Sequence, residues 1–413
     1  MPVDSPFDNE RTGNLGGSRS AATLHPETLA VHSGGMRTQF GETSEALFLT
    51  QGFVYPDMES AERRFAGEDP DGFIYSRFSN PTVAMFEQRM ATLDGAEAAR
   101  ATGTGMAAVA AALLGYLKAG DHVITSRVLF GSCAVILGEI LPKFGVESTF
   151  IDGTRPENWR AALRPNTRAF FIETPANPTT ELIDIAAAAE IAHEAGAILI
   201  VDNALGTPLI QNPLQHGADV VTYSATKHID GQGRCLGGLV LASEEFIETH
   251  LKNYLRHTGP ALSPFNAWVL LKGLETLPLR IEKQARNARA LAEALRAQPG
   301  VTQVLYPGLP DNPQAEIFKK QMKSGGSVLA IELEGGKEAA FRFGKALKLV
   351  KISNNFGDAK SLVTHPATTT HQRFTLEERE AIGITEGMLR LSAGLEHEDD
   401  LVADVVNAVK AAL

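Results

Sequence analysis

Short apolar runs recur between stretches of helical periodicity from about residue 121 to residue 243. The runs at 122–125, 146–151, 168–173, 198–202, 219–223 and 239–242 are rich in Val, Ile and Phe. Continuous apolar runs of this length read as strands buried on both faces. Between them lie segments such as 185–195, built of Ala and Glu and closed by Gly196, which predict crossover helices. The pattern predicts an open, wound α/β unit with a mostly parallel sheet. Beyond about residue 279 it changes to an amphipathic helix at 282–297, strands at 327–333 and 388–392, and a final helix at 400–413, which predicts a smaller α+β unit.

Composition narrows the function. A chain of 413 residues exceeds the size at which one core usually keeps growing. Hydrophobic residues at 44% and charged residues at 21% fit an ordinary globular protein. A net charge of −11 argues against a nucleic-acid partner. No membrane partner is expected, since the apolar stretch at 107–117 is interrupted by Gly115 and ends at Lys118. Cys133 and Cys235 suffice for neither a disulfide framework nor a zinc cluster, so no metal is expected and a reducing, cytoplasmic setting is. Residues 1–22 are polar and Gly/Ser-rich with no apolar core segment, and read as a disordered lead.

In wound sheets, ligands sit at the carboxyl ends of the strands, so the polar residues there are the candidates. Three such places are Glu173-Thr-Pro-Ala-Asn-Pro178, Asp202-Asn203 and Ser224-Ala-Thr-Lys-His228. By type, a loop lysine such as Lys227 is a solvated surface group. Placed between two apolar strands, it is equally what a Schiff-base lysine requires, with Ser224 and Thr226 as phosphate donors. Asp202 ends an apolar strand, where a carboxylate needs a cationic partner. It reads either as a cap or as the partner of a protonated pyridine nitrogen.

The segment Thr102-Gly-Thr-Gly-Met-Ala-Ala108 opens an Ala-rich helix whose N-terminus could hold a phosphate. It also fits the dinucleotide pattern G-x-G-x-x-A. Residues 97–101 do not form the strongly apolar strand that reading needs, and Asp121 precedes the next strand instead of following it, so a nicotinamide dehydrogenase is the weaker reading. Tyr75 and Arg77, two apart on an extended segment, would face the same way ahead of a helix begun by Pro81. A surface loop is the alternative. Arg390 lies among apolar neighbours and calls for an anion, either a substrate carboxylate or a buried Glu or Asp.

Together, Tyr75-Ser-Arg-Phe-Ser-Asn-Pro-Thr82, Gly105-Met-Ala-Ala108, Glu173 to Pro178, Val201-Asp-Asn203, Ser224 to Lys227 and Arg390-Leu-Ser-Ala-Gly-Leu-Glu396 resemble the Cys/Met-metabolism family of pyridoxal-phosphate enzymes. The resemblance implies an aspartate-aminotransferase-like, fold type I architecture. It divides the chain into an N-terminal arm (1–79), a cofactor domain (80–278) and a C-terminal α+β domain (279–413). It implies pyridoxal 5′-phosphate as cofactor and a homotetramer of tight dimers. Lys227 would carry the cofactor and Asp202 would meet its ring nitrogen. Gly105, Met106, Ser224 and Thr226 would hold its phosphate, and Asn177 would lie near its ring hydroxyl. Tyr75 and Arg77 would reach the phosphate of the neighbouring subunit, and Asn355 with Arg390 would bind the substrate carboxylate.

One departure bears on the reaction. Where most members carry a ring-stacking tyrosine, this chain has Phe130-Gly131-Ser132. Stacking survives and the phenolic hydroxyl does not, a pattern similar to the O-succinylhomoserine sulfhydrylases. A γ-lyase of the methionine type would carry cysteine where Ser132 stands. The resemblance thus implies γ-replacement on O-succinylhomoserine by sulfide, with cystathionine γ-synthase or O-acetylhomoserine sulfhydrylase activity as the alternatives.

Overall fold

The protein is described here by a computed structural model covering residues 24–69 and 72–413, so the lead at 1–22 lies outside the described residues. Alternate residues of the predicted apolar runs point into two different cores. In the strand Thr167–Glu173, Phe170 and Ile172 join one cluster while Ala169 and Phe171 join the other. That is the period-two signature of a sheet covered on both faces.

Seven strands build this sheet among the described residues: β1 (Ala98–Thr102), β2 (His122–Ser126), β3 (Glu147–Ile151), β4 (Thr167–Glu173), β5 (Ile198–Asp202), β6 (Val220–Ser224) and β7 (Gly238–Ala242). Their order is β1-β7-β6-β5-β4-β2-β3. The run from β3 through β2, β4 and β5 to β6 is parallel, as expected. The edge is not: β7 runs antiparallel to both β6 and β1.

Residues 98–102 form β1, a strand that is not strongly apolar and exists despite Arg100 and its small side chains. The strand exists through its pairing with β7, a tertiary context that propensity does not carry. Its antiparallel place at the sheet edge also removes it from the geometry of a dinucleotide unit. The helix Gly105–Leu114 buries Ala108, Ala111, Ala112 and Leu113. It packs on the Val220 and Val240 side of the sheet. The opposite face is covered by Pro81–Asp94, Ile185–Glu194 and Pro264–Glu275. Pro81–Asp94 starts as predicted: Pro81 occupies the first turn, and the Asn80 side chain accepts from the Thr82 N–H at 2.9 Å.

A second sheet comprises β8 (Val301–Leu305), β9 (Val328–Leu333), β10 (Lys351–Ile352), β11 (Leu362–Thr364) and β12 (Met388–Ser392), in the order β10-β11-β12-β9-β8. The helices Leu277–Arg296, Gly336–Ala346 and Glu398–Ala412 share one apolar cluster with it. The first of these begins earlier than the predicted 282 and runs unbroken past residue 279.

Residues 24–79 differ in kind from the rest. Among the described residues they hold the helices Pro26–His32 and Met58–Ala66 and a β-bridge between Gly52 and Tyr75. Phe40, Leu49, Val54 and Met58 are 84%, 70%, 94% and 86% exposed. The segment is fastened at Glu45, which accepts from Arg89 at 2.5 Å and from Lys272, while the Trp268 indole N–H donates to its carbonyl at 2.9 Å. Tyr75 and Arg77 are not on an extended strand: Phe78 N–H and Ser79 N–H both return to the Tyr75 carbonyl, at 2.8 and 3.1 Å, forming a turn. No helix among the described residues is long and apolar enough to cross a membrane.

Candidate active site

The carboxyl ends of β4, β5 and β6 meet the loop from β10 to β11 and the middle of β12. Lys227 lies in the loop between β6 and β7, so both ends of its loop are fixed by adjacent strands of one sheet. Its amine donates to Asn355 Oδ1 at 2.5 Å and stands 4.8 Å from the centre of the Phe356 ring. Burial pulls it down to about 8, helped by the Arg390 charge and opposed by that of Asp202. An amine at that value is neutral often enough near neutral pH to act as nucleophile and base.

Asp202 closes β5. Its Oδ1 accepts from the Ala204 N–H at 3.1 Å, and its Oδ2 lies 4.0 Å from the Cys133 thiol. Burial pushes its carboxyl up to about 6. Directly beside it in the β4–β5 register stands Glu173, whose carboxyl is raised by burial and by the Asp202 charge and held back by two backbone N–H donors and the Arg390 charge. Glu173 Oε2 accepts from the Phe130 N–H at 2.5 Å, and its Oε1 accepts from the Asn177 N–H at 2.9 Å.

Arg390, on β12, is 1% exposed and donates to Asn177 Oδ1 at 2.9 Å and to the carbonyls of Asn354 and Asn355 at 2.9 and 2.8 Å. Its Nε is buried with no acceptor. The buried carboxylate that could have neutralised it, Glu173, acts on it only through space. Among the described ion pairs none includes Lys227, Asp202 or Arg390. Charges buried or half-buried without an ion pair are costly, and they mark a candidate place for charged ligands.

A phosphate cradle adjoins them. Thr104 caps the helix Gly105–Leu114, its hydroxyl accepting from the Ala107 N–H at 3.1 Å. The N–H groups of Gly105 and Met106, in the first turn, have no intrahelical acceptor. A Cβ on Gly105 would fall 2.6 Å from Cβ of Ser224, so only glycine lets the helix end approach that hydroxyl. The Thr226 hydroxyl is steadied by Gly237, donating to its carbonyl at 3.3 Å and accepting from its N–H at 3.2 Å. Backbone donors at a helix N-terminus, two hydroxyls, an amine of lowered pKa and an acid beyond them form a donor set for a phosphorylated, electrophilic aromatic ring.

The model of the Cys/Met metabolism PLP-dependent enzymes matches residues 27–410. The chain belongs to that family. Its cofactor is pyridoxal 5′-phosphate and its architecture is fold type I, and the residues just described fit both. The chain is 50% identical over 386 residues to an O-succinylhomoserine sulfhydrylase of Mycobacterium tuberculosis, covering 92% of this chain and 95% of that one. It is 47% identical over 385 residues to an O-succinylhomoserine sulfhydrylase of Pseudomonas aeruginosa, covering 93% and 95%. A solved structure from Campylobacter jejuni superposes with a TM-score of 0.89 at 32% identity, covering 94% of this chain and all of that one, and it contains N′-pyridoxyl-lysine-5′-monophosphate.

Two of the family motif residues stand apart. Tyr75 and Arg77 have no described contact with Lys227, Asp202 or Ser224. Arg77 donates to the Arg256 carbonyl and lies 4.8 Å over the Phe78 ring. With Arg64, Lys252 and Arg256 it lines a groove of about 810 Å³ that does not include Lys227. Glu173, named in the sequence only as part of a candidate stretch, joins the site with a contact of its own. Its place one strand-end from Asp202 and four residues before Asn177 was the available signal.

Proposed function

We propose that this protein is a pyridoxal-phosphate transferase catalysing γ-replacement on O-succinylhomoserine with sulfide, releasing succinate and forming homocysteine for methionine biosynthesis in the cytoplasm. The observation that carries the reading is the likeness, over more than nine-tenths of either chain, to two O-succinylhomoserine sulfhydrylases. Bound at Lys227, the cofactor supplies an electron sink that acidifies the α- and β-positions of an amino acid.

The chain's own groups do the rest. The Lys227 amine, neutral near its lowered pKa, takes the proton from Cα and moves the one at Cβ. Asp202, ionised beside a cationic ring nitrogen, keeps that nitrogen protonated. Phe130 offers a ring face and no acidic hydroxyl, leaving proton transfer to Lys227. Arg390, with Nε free, and Asn355 hold the substrate carboxylate. Met106 and Gly105 donate backbone N–H groups to the cofactor phosphate, joined by the hydroxyls of Ser224 and Thr226, and Asn177 lies by the ring hydroxyl.

The reading extends to assembly. Tyr75 and Arg77, out of reach of Lys227 in their own chain, serve a neighbouring subunit of a homotetramer built as a dimer of dimers. The exposed apolar residues of 24–79 support this, as the arm of a three-part chain divided at 1–79, 80–278 and 279–413. Assay of the holoenzyme with O-succinylhomoserine and O-acetylhomoserine, each against sulfide and cysteine, tests the function. Fastest turnover is expected for the succinyl ester with sulfide. Preference for cysteine would make the enzyme a cystathionine γ-synthase, and preference for the acetyl ester an O-acetylhomoserine sulfhydrylase.

A further inference from the structure

Glu173 is a carboxyl group that the reaction above does not use, 3% exposed and in no ion pair among the described residues. Burying such a group is costly unless it is paid back through hydrogen bonds. Both of its oxygens are engaged, and both by backbone N–H groups of residues that belong to the site. One holds the start of the loop presenting the Phe130 ring. The other holds Asn177, whose side chain accepts from Arg390. Phe130 lies beyond the end of β2 and caps the helix Gly131–Val135, and Asn177 lies beyond the end of β4. A carboxylate at the end of β4 fixes both to a rigid strand.

We propose that Glu173 is the positioning residue of this site, setting through one side chain both the stacking plane of Phe130 and the placement of Asn177 and Arg390 for the amino-acid carboxylate. The inference rests on the roles given above to Phe130, Asn177 and Arg390. Two acceptor oxygens are required, because both bonds come from N–H donors. Glutamine has the same shape and only one acceptor, so it sets an NH2 against a backbone N–H. A buried donor left unsatisfied in this way is expected to loosen one of the two loops.

The test uses the holoenzyme of Glu173→Gln. Two measurements read the positions of Phe130 and Arg390 without requiring turnover. The first is the circular dichroism of the cofactor's visible band, which an achiral chromophore acquires only from a fixed asymmetric setting. The second is the apparent Kd for L-homoserine from spectral titration. Glu173→Gln is expected to keep far-ultraviolet dichroism and cofactor content, to lose about half or more of the visible dichroism, and to raise the Kd about tenfold. Visible dichroism and Kd both equal to those of the unaltered enzyme would overturn the proposal. If Glu173→Gln does not fold, Glu173→Asp, which keeps two acceptors but is one methylene short, is read by the same measurements against the same criterion. A failure of the site reading is separable, because it would show in the unaltered enzyme as a cofactor not attached to Lys227.

Discussion

The segment at 24–79 and the cluster at the ends of β4, β5 and β6 break the usual inside-outside rule in opposite senses. In the first, large apolar side chains such as Val54 and Met58 face solvent. In the second, Glu173 and Arg390 are buried and Lys227 and Asp202 half-buried, and their ionisable groups are incompletely matched. Folded proteins depart from local consistency mainly where function demands it. The apolar surface asks for another protein surface, and the buried charges ask for a charged small molecule.

Substitutions can break this contrast at either end. The largest effect is expected from Lys227→Ala, which removes the base and the covalent anchor. Turnover should fall at least about 10³-fold while far-ultraviolet dichroism stays unchanged. The visible absorption of lysine-bound cofactor should vanish, and its persistence would contradict the assignment. Arg390→Lys keeps the charge and loses the planar fork. It should cost about 2 kcal/mol in substrate binding, read as a KM raised roughly 30-fold with kcat little altered. At the other end, Val54→Asp with Met58→Asp should yield particles sedimenting near the single-chain mass of 44.3 kDa. Activity should then drop about tenfold or more, since burying two new charges in an interface is strongly disfavoured. Unchanged mass would mean that this face is not an interface.

The smallest effect is a pH dependence. Because burial lowers the Lys227 pKa, the nucleophilic neutral amine is the major form above about 8 and is lost as pH falls below it. Capture of pyridoxal phosphate by the apoprotein should therefore rise with a midpoint near 8. A midpoint at the ordinary lysine value of 10.5 would show an exposed amine.

How much of this could be read in the chain depended on sequence distance. The central parallel strands β4 and β5 were legible because each carries a run of large apolar residues, and β5 matches its predicted bounds of 198–202. β1 was not, because Arg100 and three alanines become a strand only when β7, far along the chain, lies beside them. Among the candidate residues, Lys227, Asp202, Asn177, Asn355, Arg390 and Phe130 converge on one site. Tyr75 and Arg77 do not join them within a single chain. Glu173 lay in a candidate stretch but received no role of its own, because its partnership with the backbone of Phe130 spans 43 positions and leaves no spacing to recognise.

The hydrogen bond between the Lys227 amine and Asn355 also constrains how the protein is made. Lys227 extends from the first sheet, whereas Asn355 and Arg390 come with the second, and β12 is the last strand among the described residues. On the ribosome, Asp202 and Lys227 emerge long before Asn355 and Arg390, which complete the amine's surroundings. A nascent chain can collapse around the first sheet, but a competent pocket must wait for nearly all of the polypeptide to be released. Acquisition of the yellow chromophore would then serve as a late checkpoint on biosynthesis, reporting that the two sheets have docked.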